Sequence, residues 1–315
     1  MAGTLEWYNE YVVPSPFGED AELAFTDVAF SEFDRSVVIS GTIRADGPLD
    51  PNDPTAIGVR QDATLLKVTA DPMGPAGAPG GAPIWFTRYD SLFDRDNPDL
   101  PNVAETGDGL DVFGQGEIIL AGRTDLGISS SDGGPGPFRG THLVHTDAGG
   151  FPLWSSDYET FSPDGITAFA ETAYAAVEFD RNRQAFIQTG RVGGGFGGIN
   201  AHTQLTALGG APIWAWQYGG PENRTFGESV VPALDTCGYA YAGMIANPTP
   251  PPGQGAFDVY HLSNNDAGET GCLERELFAE QVAPLEPRPL QILFDVREGF
   301  QQLPKLAQFV DGPNT

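Results

Sequence analysis

Gly150-Phe151-Pro152-Leu153-Trp154-Ser155-Ser156-Asp157-Tyr158 decides the reading of this chain, because close copies of it recur along the sequence. Gly81-Ala82-Pro83-Ile84 leads into Trp85 and Tyr89, and Gly210-Ala211-Pro212-Ile213 leads into Trp214 and Tyr218. Trp7 and Tyr11 repeat the Trp-x-x-x-Tyr core without that lead-in. A degraded copy sets Leu273 and Leu277 at the same spacing, after Asp266-Ala267-Gly268. Self-similarity of this kind is the signature of a repeat architecture. The Trp-to-Trp intervals are 78, 69 and 60 residues.

Further strands recur between these marks. One β-rich segment closes on glycine four times, at Val37–Gly41, Ile118–Gly122, Ala185–Gly190 and Tyr239–Gly243. An apolar stretch precedes each, and three of those stretches close on Asp34, Asp180 or Asp235. A third strand follows each glycine, at Thr64–Thr69, Thr141–Thr146, Ala201–Ala207 and Phe257–Leu262. Strand positions are β-branched and aromatic, and the turns are rich in Gly, Asp and Asn. Each unit therefore reads as four short strands, and tandem four-stranded units predict radial blades around an axis.

The expected fold is all-β, a β-propeller of four or five four-stranded blades. Blades fall at about 20–89, 105–158, 171–218 and 228–277, within a repeat domain of 1–278. The extra length falls in loops such as Gly47–Gln61, Asp71–Gly81 and Asp125–Arg139. An N-terminal strand at 5–13 is left over. The C-terminal extension, 279–315, reads as a stiff connector, Val282–Pro289, followed by a strand, Leu290–Val296. The leftover strand either pairs with that tail as a partial fifth blade or adds to an edge of another subunit. A solenoid is the competing architecture, but its repeats are shorter and carry one to three strands.

The order apolar strand–Asp, strand–Gly, third strand–Asp-x-Gly, Trp-x-x-x-Tyr resembles the SBBP-type β-propeller repeats of bacterial exported proteins, over roughly residues 7–277. The resemblance implies a fold and leaves the activity open. Irregular loop insertions, the low blade count and the tail depart from the pattern.

Sixteen basic against 43 acidic residues give a net charge of −27, and Lys67 and Lys305 are the two lysines. Such a surface repels nucleic acid and anionic lipid and attracts cations or basic partners. No apolar run of membrane-spanning length is present, so membrane insertion is not expected. Met1-Ala2-Gly3-Thr4 lacks the basic and apolar segments of a signal peptide, and the numbering is read as beginning after a processed leader. Cys237 and Cys272 fall in two turns at the same end of the fourth blade, which predicts a disulfide and an extracellular, cell-surface or periplasmic location.

Catalytic signals are sparse. His142, His202 and His261 each stand twelve residues before a Trp-position residue, but on different blades, which favours packing over a metal site. Glu22, Glu105, Glu171 and Glu228 precede the first strand of each unit and would ring the mouth of a central channel. They could attract cations or accept backbone hydrogen bonds in turns. Asp50 and Asp53, and Asp94, Asp96 and Asp99, form oxygen-rich loops in which calcium is the candidate ligand, without EF-hand spacing. Gly193–Gly198 has no following Lys-Ser/Thr and reads as a hairpin loop. The sequence thus points to a non-enzymatic exported or cell-surface module. It would bind a protein or glycan, or self-assemble through its N-terminal strand and C-terminal extension. A carbohydrate-active or lactone-type hydrolase with a carboxylate-lined channel mouth is the alternative.

Overall fold

The computed structural model describes residues 10–12, 22–50, 53–70, 80–89, 105–125, 139–161, 171–193, 199–219, 224–233, 238–246, 257–270, 274–283, 287–288 and 295–297. The described secondary structure is strand and turn throughout, with no helix. After a short β1 (Glu10–Val12), the chain lays down antiparallel units in sequence order. Unit 1 is β2 (Glu22–Ser31), β3 (Ser36–Asp50), β4 (Asp53–Thr69) and β5 (Pro83–Tyr89). Unit 2 is β6 (Gly109–Phe113), β7 (Glu117–Asp125), β8 (Arg139–Thr146) and β9 (Pro152–Phe161). Unit 3 is β10 (Glu171–Asp180), β11 (Ala185–Gly193), β12 (Ile199–Ala207) and β13 (Pro212–Tyr218). Unit 4 has three strands, β14 (Arg224–Pro232), β15 (Gly238–Ala246) and β16 (Phe257–Asn265). The tail adds β17 (Glu274–Ala283), β18 (Pro287–Arg288) and β19 (Asp295–Arg297).

Burial follows from this order, because consecutive units pack face to face. Val38, Ala63, Leu65 and Tyr89 of unit 1 pack with Leu110, Ile118, Leu120 and Val144 of unit 2. Phe113, Ile119, Leu143 and Tyr158 of unit 2 pack with Tyr174, Val177 and Phe186 of unit 3. Ala185, Ile187 and Leu205 of unit 3 pack with Val230, Tyr239 and Tyr241 of unit 4. The far face of unit 1, with Ile43, Leu66, Val68 and Phe86, is flanked by Tyr11 of β1. A strand buried on both faces reads as a continuous apolar run, and Ile118-Ile119-Leu120-Ala121 is one.

The Trp-x-x-x-Tyr motif proves to be a latch between units. Tyr89 donates its hydroxyl hydrogen to the Gly150 carbonyl (3.0 Å), Tyr158 to that of Gly210 (2.6 Å) and Tyr218 to that of Gly268 (2.7 Å). In parallel, the indole Nε1 of Trp85 donates to Ala148 (3.2 Å), that of Trp154 to Leu208 (2.6 Å) and that of Trp214 to Asp266 (3.2 Å). Each fourth strand thus grips the β-turn before the fourth strand of the next unit, or its equivalent. Tyr11 does the same to Gly81 of unit 1 (2.6 Å), so β1 occupies the place of an outer strand from a preceding unit.

Four expectations need correction. The glycines closing the second strand, Gly41, Gly122, Gly190 and Gly243, stand inside β3, β7, β11 and β15 rather than at their ends. A side chain there would run into backbone of the first strand, at Ala24, Thr106, Ala173 and Phe226. Gly47–Gln61 is not a loop: β3 and β4 stay paired through Ala45↔Arg60 and Gly47↔Gly58 to Asp50↔Asp53. The β-branched Thr55, Ile57 and Val59 favour that continuation. The degraded copy, β17, does not complete unit 4. It pairs with β13 (Ala215↔Leu277) and with β9 (Gln281↔Tyr158), joining units 2 and 3 into one nine-stranded sheet. That position satisfies two strand edges, where a place beside β16 would satisfy one. The connector is partly a strand, since Pro287 and Arg288 pair with Tyr89 and Arg88. Finally, β1 pairs with the tail at Tyr11↔Val296, which is the first of the two fates the sequence left open for it.

Candidate functional site

The first strands of units 1, 3 and 4 bulge at equivalent places. The register slips between Phe25 and Asp27, between Tyr174 and Ala176, and between Gly227 and Ser229. In unit 2 the strand enters through an isolated bridge, Glu105↔Thr124, followed by Thr106 and Gly107. A bulge adds an unpaired residue and re-aims the neighbouring side chains. Here the bulged segments of β2, β10 and β14, the entry to β6, and Arg123 and Arg191 from the second strands together line one cavity of about 610 Å³. That size suits a small organic ligand.

One carboxylate per unit reaches the lining: Asp27, Asp108, Glu178 and Glu228. Beneath them the inner strands are stapled. Asp27 accepts the Leu110 amide of unit 2 (3.0 Å), and Asp111 accepts the Phe179 amide of unit 3 (2.9 Å). Thr26 donates to the Gly107 carbonyl. Burial, together with the negative charge of Asp111 and Asp27, pushes the Glu178 carboxyl up to about 7. Burial raises Asp111 as well, against the amides of Phe179 and Val112 that donate to it. Burial and the neighbouring carboxylates thus favour the protonated form of Glu178, and burial favours that of Asp111. Burial also raises Asp108, opposed by the Thr106 hydroxyl (2.7 Å) and by the charges of Arg123 and Arg191. The cavity wall so carries Glu178, backed by Asp111, and Asp108 beside Arg123 and Arg191.

The four glutamates singled out from sequence do not hold equivalent positions on their strands. Glu22 is exposed at the start of β2, opposite Arg44. Glu105 is buried at its bridge to Thr124. Glu171 begins β10, facing Gly193 on one side and Arg139 on the other, and its side chain lies outside the described residues. Glu228 is the one of the four that lines the cavity. Asp27, Asp108 and Glu178 were not foreseen. The signal for them is weak, because the bulge interrupts the two-residue alternation that would have told inward from outward positions.

His142 and His202 pack inside the sheets, whereas His261 is exposed. His142 and His202 are fully buried, and burial pushes them down to about 4 and about 3, so both are neutral rings. His202 stacks on Tyr174 with centroids 5.7 Å apart. His142 pairs with Gly122 and His202 with Gly190, whereas Tyr260 pairs with Gly243. His261 is therefore one residue out of register with the other two. No group of three metal-ligating side chains occurs among the described residues. Asp50 and Asp53 flank the β3–β4 turn, with side chains outside the described residues. Asp94, Asp96, Asp99, Cys237 and Cys272 also lie outside them.

A different cation is built in. Lys67 is buried, bonded to Asp34 (2.6 Å) and to the Ala148 carbonyl (3.0 Å), and lies 5.9 Å from the Trp85 ring centroid. It reinforces the first latch and does not reach the cavity lining. No protein-family model and no curated protein matches the chain.

Proposed function

We propose that this chain is a non-enzymatic, exported or cell-surface β-propeller of the SBBP-like kind, acting as a binding and assembly module. One observation carries the reading. Among the described residues the latch series opens with β1, which pairs with β19 alone, and closes on β14–β16, which pairs with no outer strand. An array with unlike, complementary ends suits joining to something else. The cavity among the first strands gives the module a ligand site for a glycan or a basic protein segment, because carboxylates outnumber the two arginines there. Calcium is proposed for the Asp50/Asp53 and Asp94/Asp96/Asp99 loops, and a disulfide for Cys237 and Cys272. The test is the native mass by light scattering at moderate salt, with and without residues 279–315. An assembly is expected for the full chain; a monomer under all conditions would reject the assembly role.

The second reading, a carbohydrate-active or lactone-type hydrolase, draws on the Asp111–Glu178 pair. A carboxyl that keeps its proton near pH 7 can act as a general acid. Turnover of an aryl-glycoside or lactone panel, abolished by Glu178→Gln, would establish it. Absence of turnover across the panel favours the binding module.

A further inference from the structure

We infer that the open edge of β16 is a docking site for the N-terminal strand of a second copy of this chain, in a register that the other units dictate. The inference rests on the assembly reading above and supplies its contact surface.

Among the described residues β16 pairs with β15 alone. In units 1 to 3 the third strand is covered by a Trp-x-x-x-Tyr strand in one constant register. Ala63 faces Tyr89, Thr141 faces Tyr158 and Ala201 faces Tyr218. Four residues on, Lys67 faces Trp85, His145 faces Trp154 and Leu205 faces Trp214. The mid-strand glycines align the third strands across units, since Gly41, Gly122, Gly190 and Gly243 pair with Thr64, His142, His202 and Tyr260. The residue facing the latch tyrosine is the one before each, so in unit 4 it is Val259.

Exposure marks the face beside that edge as uncovered, where unit 2 covers the matching Ala63 of unit 1. Ala63 and Thr141 are 0% exposed and Ala201 is 2%, whereas Val259 is 85% exposed and its neighbour Phe257 is 54%. An apolar, unpaired strand edge recruits another strand. The strand with the matching motif is β1, which would set Tyr11 against Val259, Glu10 against Tyr260 and Val12 against Asp258. Trp7 would then fall against Ser263.

The chain's own β1 stays on its own unit 1. It is held there by the Tyr11–Gly81 bond and paired with β19. Its latch is therefore made, and among the described residues it pairs with β19 alone, without the three-stranded sheet that backs each later latch strand. Unit 4 of a second copy is such a sheet. Docking continues the unit order from one copy into the next, a head-to-tail contact between unlike surfaces.

The experiment uses the full chain. Val259→Lys changes an exposed residue, so its melting curve should match the parent while its native mass falls to the 33.5 kDa of one chain. Two variants with one added cysteine each, Val12→Cys and Asp258→Cys, are then mixed and oxidised, beside a parent control for the two native cysteines. A disulfide-linked dimer is expected from this mixture and not from Val12→Cys with Phe257→Cys, because a one-residue slip turns the side chains to opposite faces. Assembly that survives Val259→Lys but is lost on removing residues 279–315 overturns this surface and leaves the assembly reading standing. A Val12→Cys/Asp258→Cys double variant that links within one chain, with the parent monomeric, overturns both.

Discussion

At the scale of single residues, the latch depends on a glycine as much as on the tryptophan and tyrosine. Gly81, Gly150, Gly210 and Gly268 all hold positive φ, between 75° and 89°. Left-handed backbone costs a residue with a side chain roughly 1–2 kcal/mol. Space is equally tight, since a Cβ on Gly150 would sit 3.0 Å from Cζ3 of Trp85. Gly150→Ala should therefore lower unfolding stability by about 2 kcal/mol or more. Gly209→Ala next to the third latch turn is the control, because nothing lies within 4 Å of its Cβ. That control should stay within about 0.5 kcal/mol of the parent. Urea denaturation of both variants tests the pair, and equal losses would show that the latch turns carry no special constraint. The sequence displayed all three latch residues because they repeat. Their acceptors were hidden, since a backbone carbonyl in the next unit leaves no residue type to recognise.

At the scale of elements, the first strand of each unit is the one whose sequence was hardest to read. Leu23–Phe33 and Tyr174–Phe179 stand out as apolar stretches, yet the bulges at Phe25/Asp27 and Tyr174/Ala176 decide which side chains turn inward. That is why Glu22 and Glu171 were noticed while Asp27 and Glu178 were not. The stapled strands also set a pH dependence. The Glu178 pKa is about 7 in the fold against an ordinary 4.5, so the native state binds more protons than the unfolded chain between those values. Stability then falls as pH rises through that window and levels off above it. His142 and His202 act in the opposite sense. Their folded pKa values lie below the ordinary 6.5, so their contribution is lost as pH falls from about 6.5 toward 4. The two effects overlap, and Glu178→Gln separates them. In that variant the opposing Glu178 contribution should disappear, so the melting temperature should rise more steeply with pH between about 4.5 and 7 than it does in the parent. An unchanged pH profile would mean that Glu178 ionises freely beside Asp111.

At the scale of the whole molecule, the repeat order was legible and the ends were not. Units 1 to 3 follow the expected sequence of strands, because each has a complete set of marks and buries its faces against its neighbours. The last unit departs from it because Leu273 and Leu277 replace the Trp and Tyr of the latch. Without those groups β17 has no donor for a next turn, and it pairs instead with two free edges, β9 and β13. Unit 4 exposes four large apolar side chains, Val231, Met244, Phe257 and Val259, on a chain whose net charge is −27. These features set association and repulsion against each other. Repulsion between copies is long-ranged and screened by salt, over about 30 Å at 0.01 M and about 10 Å at 0.1 M. Strand pairing and apolar burial are short-ranged and much less affected by salt at these concentrations. Native mass should therefore rise with sodium chloride between about 0.01 and 0.15 M, the reverse of an assembly held by opposite charges. Val259→Lys should show no such rise, because it removes the apolar contact while changing the net charge by one unit. A mass that falls with added salt would place the contact in ion pairs, away from β16.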